Sequence, residues 1–378
     1  MTSWPDPWSD LSPESGAIAH LRDWLEWIGY DQFQQQARQD YFSSPFPDRE
    51  TFLRRLAVAP APLAAAMRLL LLAEPLSAPE IVRDIGLETA EALIESGVIA
   101  EDSDSGAFST GGKSLVSWLG VWLLVSANPR YPSFRQEAGE VYMGPDSLTL
   151  AAELARSVGS LPVGDGLDLC AGSGIAGLSM LARGRAGNWV GVDRSLQAVR
   201  ASRFNAALNG SAPRYSSNPG NLYEPVRGRQ FSLIVCNPPF IPVPDGHAFP
   251  VYGDGGEDGA SILRPVILGL SDHLAPDGQA IIYAEGIGDA TGPFIREELV
   301  SAAGRFGLDF SLRVVSSVPG STALYTLGQM LSGASPSRLD ELEAWKSLFE
   351  RTRTSRYVKY LLKATHGAGK FEITTLAI

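Results

Sequence analysis

The feature that most constrains this chain is a strand that ends in an acid and turns through glycines into a helix. It reads Leu167-Asp168-Leu169-Cys170-Ala171-Gly172-Ser173-Gly174-Ile175-Ala176-Gly177. Glycine lacks a Cβ, so Gly172 and Gly174 let the backbone approach a ligand closely. A turn of this kind at the carboxyl end of a strand is where open α/β sheets bind their ligands. The surrounding pattern agrees. From about residue 141, apolar strands (166–170, 189–193, 231–236, 279–285) alternate with helices (177–182, 195–209, 261–274, 294–306). That alternation predicts an open, mostly parallel sheet. Residues 310–318 and 322–327, joined through Pro319-Gly320, read as an antiparallel hairpin, and the tail as a helix (338–350) and two strands (357–364, 371–376).

Residues 1 to about 130 have a different texture. Ala17, Ile18, Leu21, Trp24, Leu25 and Ile28 recur at helical spacing, and 63–72 is a second apolar helix. Ser77 caps a short helix over 78–85, Gly86 turns the chain, 87–96 is a further helix, and 98–100 and Phe108 flank a polar turn. This is the order of a winged helix-turn-helix. Its second helix, which would enter a DNA groove, carries Glu88, Glu91 and Glu95, and Glu101, Asp102 and Asp104 follow. No Lys or Arg lies between Leu87 and Gly106, so phosphate would be repelled. The module therefore reads as a cap. The most apolar stretch, 115–127, is too short for the roughly 20 residues of a bilayer span and is expected to be a buried helix. The amino terminus does not read as a secretory signal. Cys170 and Cys236 are the only cysteines, as in a reduced cytoplasmic core, and no metal-ligand spacing appears.

A second acid, Asp193, ends the strand that follows the glycine turn, a place from which a carboxylate can bond both hydroxyls of a ribose. Gly172, Gly174 and Gly177 also fit a dinucleotide string, or a plain strand-to-helix turn. A further motif separates these readings. Asn237-Pro238-Pro239-Phe240 follows the strand 231–236. Paired prolines freeze a loop. The Asn237 amide oxygen and the Pro238 carbonyl can accept both hydrogens of an NH₂ group, and Phe240 offers a flat face for a planar group.

Together these segments resemble class I S-adenosylmethionine-dependent methyltransferases of the Asn-Pro-Pro-Phe/Tyr group, and release-factor glutamine methyltransferases over about residues 140–290. Gly253-Asp254-Gly255-Gly256-Glu257-Asp258-Gly259 with Arg264, and Gly144-Pro145-Asp146-Ser147 with Thr149, extend the likeness. The resemblance implies a Rossmann-like, seven-stranded, mostly parallel sheet preceded by the helical, winged-helix-like domain. It implies S-adenosylmethionine as cofactor, contacted by Asp146, Asp168, Ala171, Gly172, Gly174, Asp193, Arg194, Asn221, Leu222 and Asn237. It implies a catalytic set of Asn237, Pro238, Pro239 and Phe240. Phe240 stands where the glutamine enzymes carry Tyr, and Asn221 where an acid often meets the adenine amine.

The expected organisation is a cap at 1–135, a cofactor-binding catalytic domain at 136–332, and a helix and β-hairpin at 333–378 packed on it. The expected reaction is N-methylation of an amine or amide. The formal net charge of −11 and a pI of about 5.0 favour a small molecule or protein over nucleic acid as acceptor. The tail, with a modest basic excess, reads as a solvated surface. Two other classes stay open. One is a cyclase of secondary metabolism, in which the cofactor's own amine attacks its Cγ to give azetidine-2-carboxylate and methylthioadenosine. The other is a non-enzymatic adaptor. No membrane partner is expected.

Overall fold

The computed structural model describes residues 6–14, 16–37, 48–103, 105–127, 141–157, 159, 161, 164–185, 187–334 and 341–375. The chain forms two compact units. One comprises 1–158, 171–185 and 189–219, the other 159–170, 186–188 and 220–378. The expected boundary at 135/136 lies outside the described residues, as does Asp104.

The first unit opens with helices Ala17–Trp27, Tyr30–Ala37 and Arg49–Leu56. Helix Ala61–Ala66 continues through a wider π turn, Met67–Leu71, whose Met67, Leu69, Leu70 and Leu71 are buried. The winged order follows. Strand Leu76–Ser77 leads into helical residues Ala78–Glu80 and Ile81–Ile85, then helix Leu87–Glu95 and strands Ala100–Glu101 and Ala107–Ser109. The last strand sits between the other two, antiparallel to both. Ser77 caps as expected, its N–H and hydroxyl both donating to Glu80. Glu88, Glu91, Glu95, Glu101 and Asp102 are all exposed, so the acidic face is a surface.

The stretch 115–127 is not a helix. It folds as an antiparallel hairpin, Lys113–Trp118 with Val121–Ser126. Leu119 and Gly120 turn it with φ of 52° and 79°, the positive pair that a tight hairpin turn needs. Val, Leu and Trp fill both strands and are buried on both faces, so no alternation betrayed the period. The outer edge of the hairpin is answered by asparagines. Asn205 Oδ1 accepts from Leu124 N–H (2.7 Å) and Asn209 Oδ1 from Trp122 N–H (2.9 Å). Their amide nitrogens donate to the carbonyls of the same two residues. The unit's two parallel strands, Trp189–Asp193 and Tyr215–Pro219, flank helix Leu196–Leu208 in sequence.

In the second unit, Gly166–Leu169, Phe231–Cys236 and Leu274–Asp289 run parallel side by side. Arg356–His366 lies antiparallel between Leu274–Asp289 and Leu308–Pro319. Phe371–Thr375 pairs parallel with Leu308–Pro319. Two expectations fail here. Residues 322–327 are not a strand but part of helix Gly320–Ala334, because Ala323, Leu324 and Leu327 recur at helical spacing and pack inward. The tail strands do not form a hairpin with each other. Tyr357, Val358, Tyr360, Leu361 and Leu362 are buried on both faces, which suits a sheet interior and not a surface ribbon. Phe371–Thr375 and the two-residue Gly292–Pro293 are additions to the seven strands implied by the resemblance. Among the described residues no helix is long and apolar enough to cross a membrane, and no group of three or more His, Cys, Asp or Glu is placed to hold a metal.

Lys113 is only 4% exposed, and its Nζ donates to the Pro7 carbonyl at 2.7 Å, tying the amino-terminal strap to the hairpin. Burial lowers its pKa to about 8, against the upward pull of Asp10 and Asp6. Unfolded, it titrates near about 10.4, so between these values the unfolded chain binds more protons and stability rises with pH. The urea midpoint of the native chain should therefore gain on that of Lys113→Met from pH 8 to pH 10. A difference that stays constant with pH would contradict this coupling.

Candidate active site

In the first unit the glycine turn is built by hydrogen bonds to its own neighbours. Gly174 caps helix Ile175–Ala182 with φ of 80°, and its N–H donates to Ala171 O at 2.7 Å. A Cβ there would lie 2.8 Å from the Tyr215 hydroxyl. Ala171 N–H donates to Val192 O (3.1 Å). Gly172 N–H donates to Asp193 Oδ2 (2.8 Å), and Ser195 N–H donates to Asp193 Oδ1 (2.9 Å). The half-buried Asp193 carboxylate is thus fixed at both oxygens. Ser173 Oγ, in the same turn, is buried with no hydrogen-bond partner among the described residues. Arg194 is exposed. Asp146 is 6% exposed in the first turn of helix Pro145–Ser157 and accepts from Tyr142 Oη at 3.0 Å.

Asn205 supports the glycine turn from helix Leu196–Leu208. Besides holding Leu124, its Nδ2 donates to Ser173 O at 2.9 Å, joining the amino-terminal hairpin to the glycine turn. It lies inside a helix and belongs to no motif, so only its burial, complete at 0% exposure, could have flagged it.

In the second unit Asp168 is 3% exposed. Its strand runs beside the one that ends in Cys236, with Asp168 opposite Val235 and Leu169 opposite Cys236. Asp168 and Asn237 therefore stand at neighbouring strand ends on one edge. Cys170, expected to be buried, is half-buried; it takes φ of 54°, and Leu222 takes 50°. A left-handed non-glycine residue costs on the order of 1–2 kcal/mol, a strain that gathers at ligand clamps. Asn221 is exposed, and its carbonyl accepts from Glu224 N–H.

The segment after Asn237 is held rigidly. Pro238 is buried, while Asn237, Pro239 and Phe240 are half-buried. Ile241 N–H donates to Gly253 O (2.8 Å), Gly255 N–H to Ile241 O (2.9 Å) and Val243 N–H to Gly256 O (2.9 Å). Gly255 and Gly259 press on Phe240: a Cβ would come within 2.8 Å of its backbone at the first and 2.4 Å of its carbonyl oxygen at the second. Gly255 and Gly259 thus let this strip lie against Phe240.

Asp258 is half-buried and paired with Arg264. Burial pushes its carboxyl up, but the Arg264 guanidinium and the Ala260 N–H more than offset that and hold it below the usual carboxylate range. Arg264 also bonds Glu298. Beside Phe240, Tyr283 presents its edge with ring centroids 6.0 Å apart, and its hydroxyl donates to Glu285 at 2.6 Å. Lys359 Nζ donates to the same oxygen of this buried carboxylate at 2.9 Å. Lys359 comes from the tail, so this contact has no local signal in the sequence.

Residues 146–248 match the family described as methyltransferase small domain. Over this region the chain resembles class I S-adenosylmethionine-dependent methyltransferases. Such a domain indicates S-adenosylmethionine as cofactor. The release factor glutamine methyltransferase of Geobacter sulfurreducens is 32% identical over 133 residues, 33% of this chain and 46% of the relative. The ribosomal protein uL3 glutamine methyltransferase of Bradyrhizobium diazoefficiens is 33% identical over 125 residues, 30% of this chain and 39% of the relative. The chain thus spans less than half the length of these relatives. A solved S-adenosylmethionine-dependent methyltransferase of Agrobacterium tumefaciens is 16% identical, with a TM-score of 0.39, over 73% of this chain and 79% of that one.

The residues fit a nucleoside cofactor. The turn approaches without a Cβ, and the Asp193 carboxylate, an acceptor of the kind that ribose hydroxyls need, is held at the end of the next strand. A charge-assisted bond is worth about 1.5–3 kcal/mol. Asp193→Asn should accordingly weaken S-adenosylhomocysteine binding by about ten- to a hundredfold in calorimetry. An unchanged affinity would remove Asp193 from the site. Asn205→Ala would leave the Leu124 N–H buried and unanswered, and should cost about 1–3 kcal/mol in denaturant unfolding; a loss below about 0.5 kcal/mol would place Leu124 in contact with water.

Proposed function

We propose that the chain is an S-adenosylmethionine-dependent N-methyltransferase acting on an amide nitrogen, with a protein glutamine as the favoured acceptor. The observation that carries this reading is the Asn237-Pro238-Pro239-Phe240 segment, held rigid at a strand end beside that of Asp168. When bound, the cofactor supplies an electrophilic methyl group on a sulfonium. The Asn237 amide oxygen and the Pro238 carbonyl accept the two hydrogens of the substrate NH₂, which aims the nitrogen lone pair. Pro239 stiffens the turn, and Phe240 stacks on the planar amide. Holding the reactants in line supplies on the order of 7–11 kcal/mol, so neither a metal nor a covalent intermediate is required.

We assign Asp168, Ala171, Gly172 and Gly174 to the methionine end of the cofactor, Asp193 and Arg194 to its ribose, Asn221 and Leu222 to its adenine, and Asp146 to the rim. The acidic winged module is proposed as a cap, with residues 1–135 as its extent. The net charge and the acidic wing weigh against nucleic acid as acceptor, and a cytoplasmic setting suits two free cysteines. The relatives are glutamine methyltransferases by name, which does not favour the cyclisation of the cofactor itself.

Purified protein with S-adenosylmethionine should release S-adenosylhomocysteine only when a glutaminyl peptide is added. Methylthioadenosine formed without any acceptor would reverse the reading in favour of cyclisation. Asn237→Ala should abolish turnover while S-adenosylhomocysteine affinity stays within about tenfold, as expected of a group whose contact is made in the transition state. A collapse of affinity would make Asn237 a cofactor ligand first.

A further inference from the structure

The chain carries a helical insertion at the edge of the sheet where Asn237 stands. Leu274–Asp289 outruns its neighbour Phe231–Cys236, since Cys236 is opposite Ile282 and residues 283–289 continue beyond it. Leu308–Pro319 ends at the same edge, with Pro319 opposite Arg356 and Gly288 also opposite Arg356. Between Pro319 and Arg356 the chain makes helices Gly320–Ala334 and Leu342–Arg351 before it re-enters the sheet. The insertion therefore leaves and rejoins the sheet on the substrate side.

The second of these helices grips the strip that follows Phe240. Trp345 is fully buried, and its Nε1 donates to the Pro242 carbonyl at 2.6 Å. Its ring meets His247 and Phe249 edge-on, with centroids 5.6 and 6.4 Å apart. Val243 and Leu327 complete this cluster, with Ile241 and Leu324 at its border. Farther along the helix, Leu348 and Phe349 pack on Ile287 of the outrunning strand. Arg351 pairs with Glu257 in the glycine segment that presses on Phe240. One helix thus fastens both strips, 241–249 and 253–259, that brace Phe240. A proline carbonyl two residues from Phe240 is a stiff point of attachment, since the Pro242 ring fixes its own φ.

We propose that Trp345 is a positioning residue: through Pro242 it holds Asn237–Phe240 in the geometry that receives the acceptor nitrogen. Only the turnover arm of the test rests on the methyltransferase reading. Phe keeps most of the packing in Trp345→Phe but removes the donor to Pro242.

Hydrogen exchange on the full chain, with no ligand added, reads the effect directly. In Trp345→Phe the amides of Ile241, Val243, Gly253 and Gly255 should exchange at least about tenfold faster, with Phe231–Cys236 and Leu274–Asp289 unchanged. Arg351→Gln, a surface change that spares the core, should speed exchange around Gly255 alone. With a glutaminyl peptide as acceptor, Trp345→Phe should lower kcat by about tenfold and leave the KM for S-adenosylmethionine unchanged. Unchanged exchange over 241–255, or a rise spread through the strands, would overturn the proposal, as would an unchanged kcat. A native chain without turnover would refute the methyltransferase reading and leave the exchange arm to decide the role of Trp345.

Discussion

The parallel register of Gly166–Leu169 with Phe231–Cys236 is the constraint on which the second unit depends. Parallel neighbours end at the same edge, so Asp168 and Asn237, 69 positions apart in the sequence numbering, are delivered side by side without any contact between their side chains being required. The segment that follows Asn237 beyond that edge is loop, and loops position chemistry only when something fixes them. The chain fixes them with prolines where backbone donors are unwanted and with glycines where two strips must touch.

The bracing has two levels. Close to Phe240, backbone bonds between 241–243 and 253–256 make a small ladder, and Gly255 and Gly259 allow it to close. Farther out, the helix Leu342–Arg351 holds that ladder from above, and the Tyr283–Glu285–Lys359 cluster supports the ring of Phe240 from the sheet. The same economy appears in the first unit. There Asn205 satisfies the edge of the buried hairpin and the carbonyl of Ser173 together, so the amino-terminal module and the glycine turn share one side chain.

What could be read in the sequence was local. The turn at Gly172 and Gly174 and the stiff Pro238-Pro239 pair carry their conformations in their own chemistry, and both stand where expected. The winged order is legible for the same reason, through Ser77 and Gly86. The failures were of two kinds. Residues 115–127 are apolar at nearly every position, so helix and strand periods coincide and only Leu119-Gly120 hinted at a turn. The tail's pairing is not legible because strand pairing is non-local: nothing in 357–364 says that its neighbours are residues 279–288 and 308–318. Trp345, Asn205 and Lys359 carry no local signal because each acts on a segment far away in sequence.

The central claim is that the edge bearing Asn237 methylates an amide nitrogen, and locating the transferred group tests it most directly. The full chain would be incubated with S-adenosylmethionine carrying a deuterated methyl and with a glutaminyl peptide, and the product fragmented by mass spectrometry. The account predicts the deuterated methyl on the glutamine side-chain nitrogen. A label found on another atom of the peptide, or left in methylthioadenosine with the peptide unmodified, would contradict it.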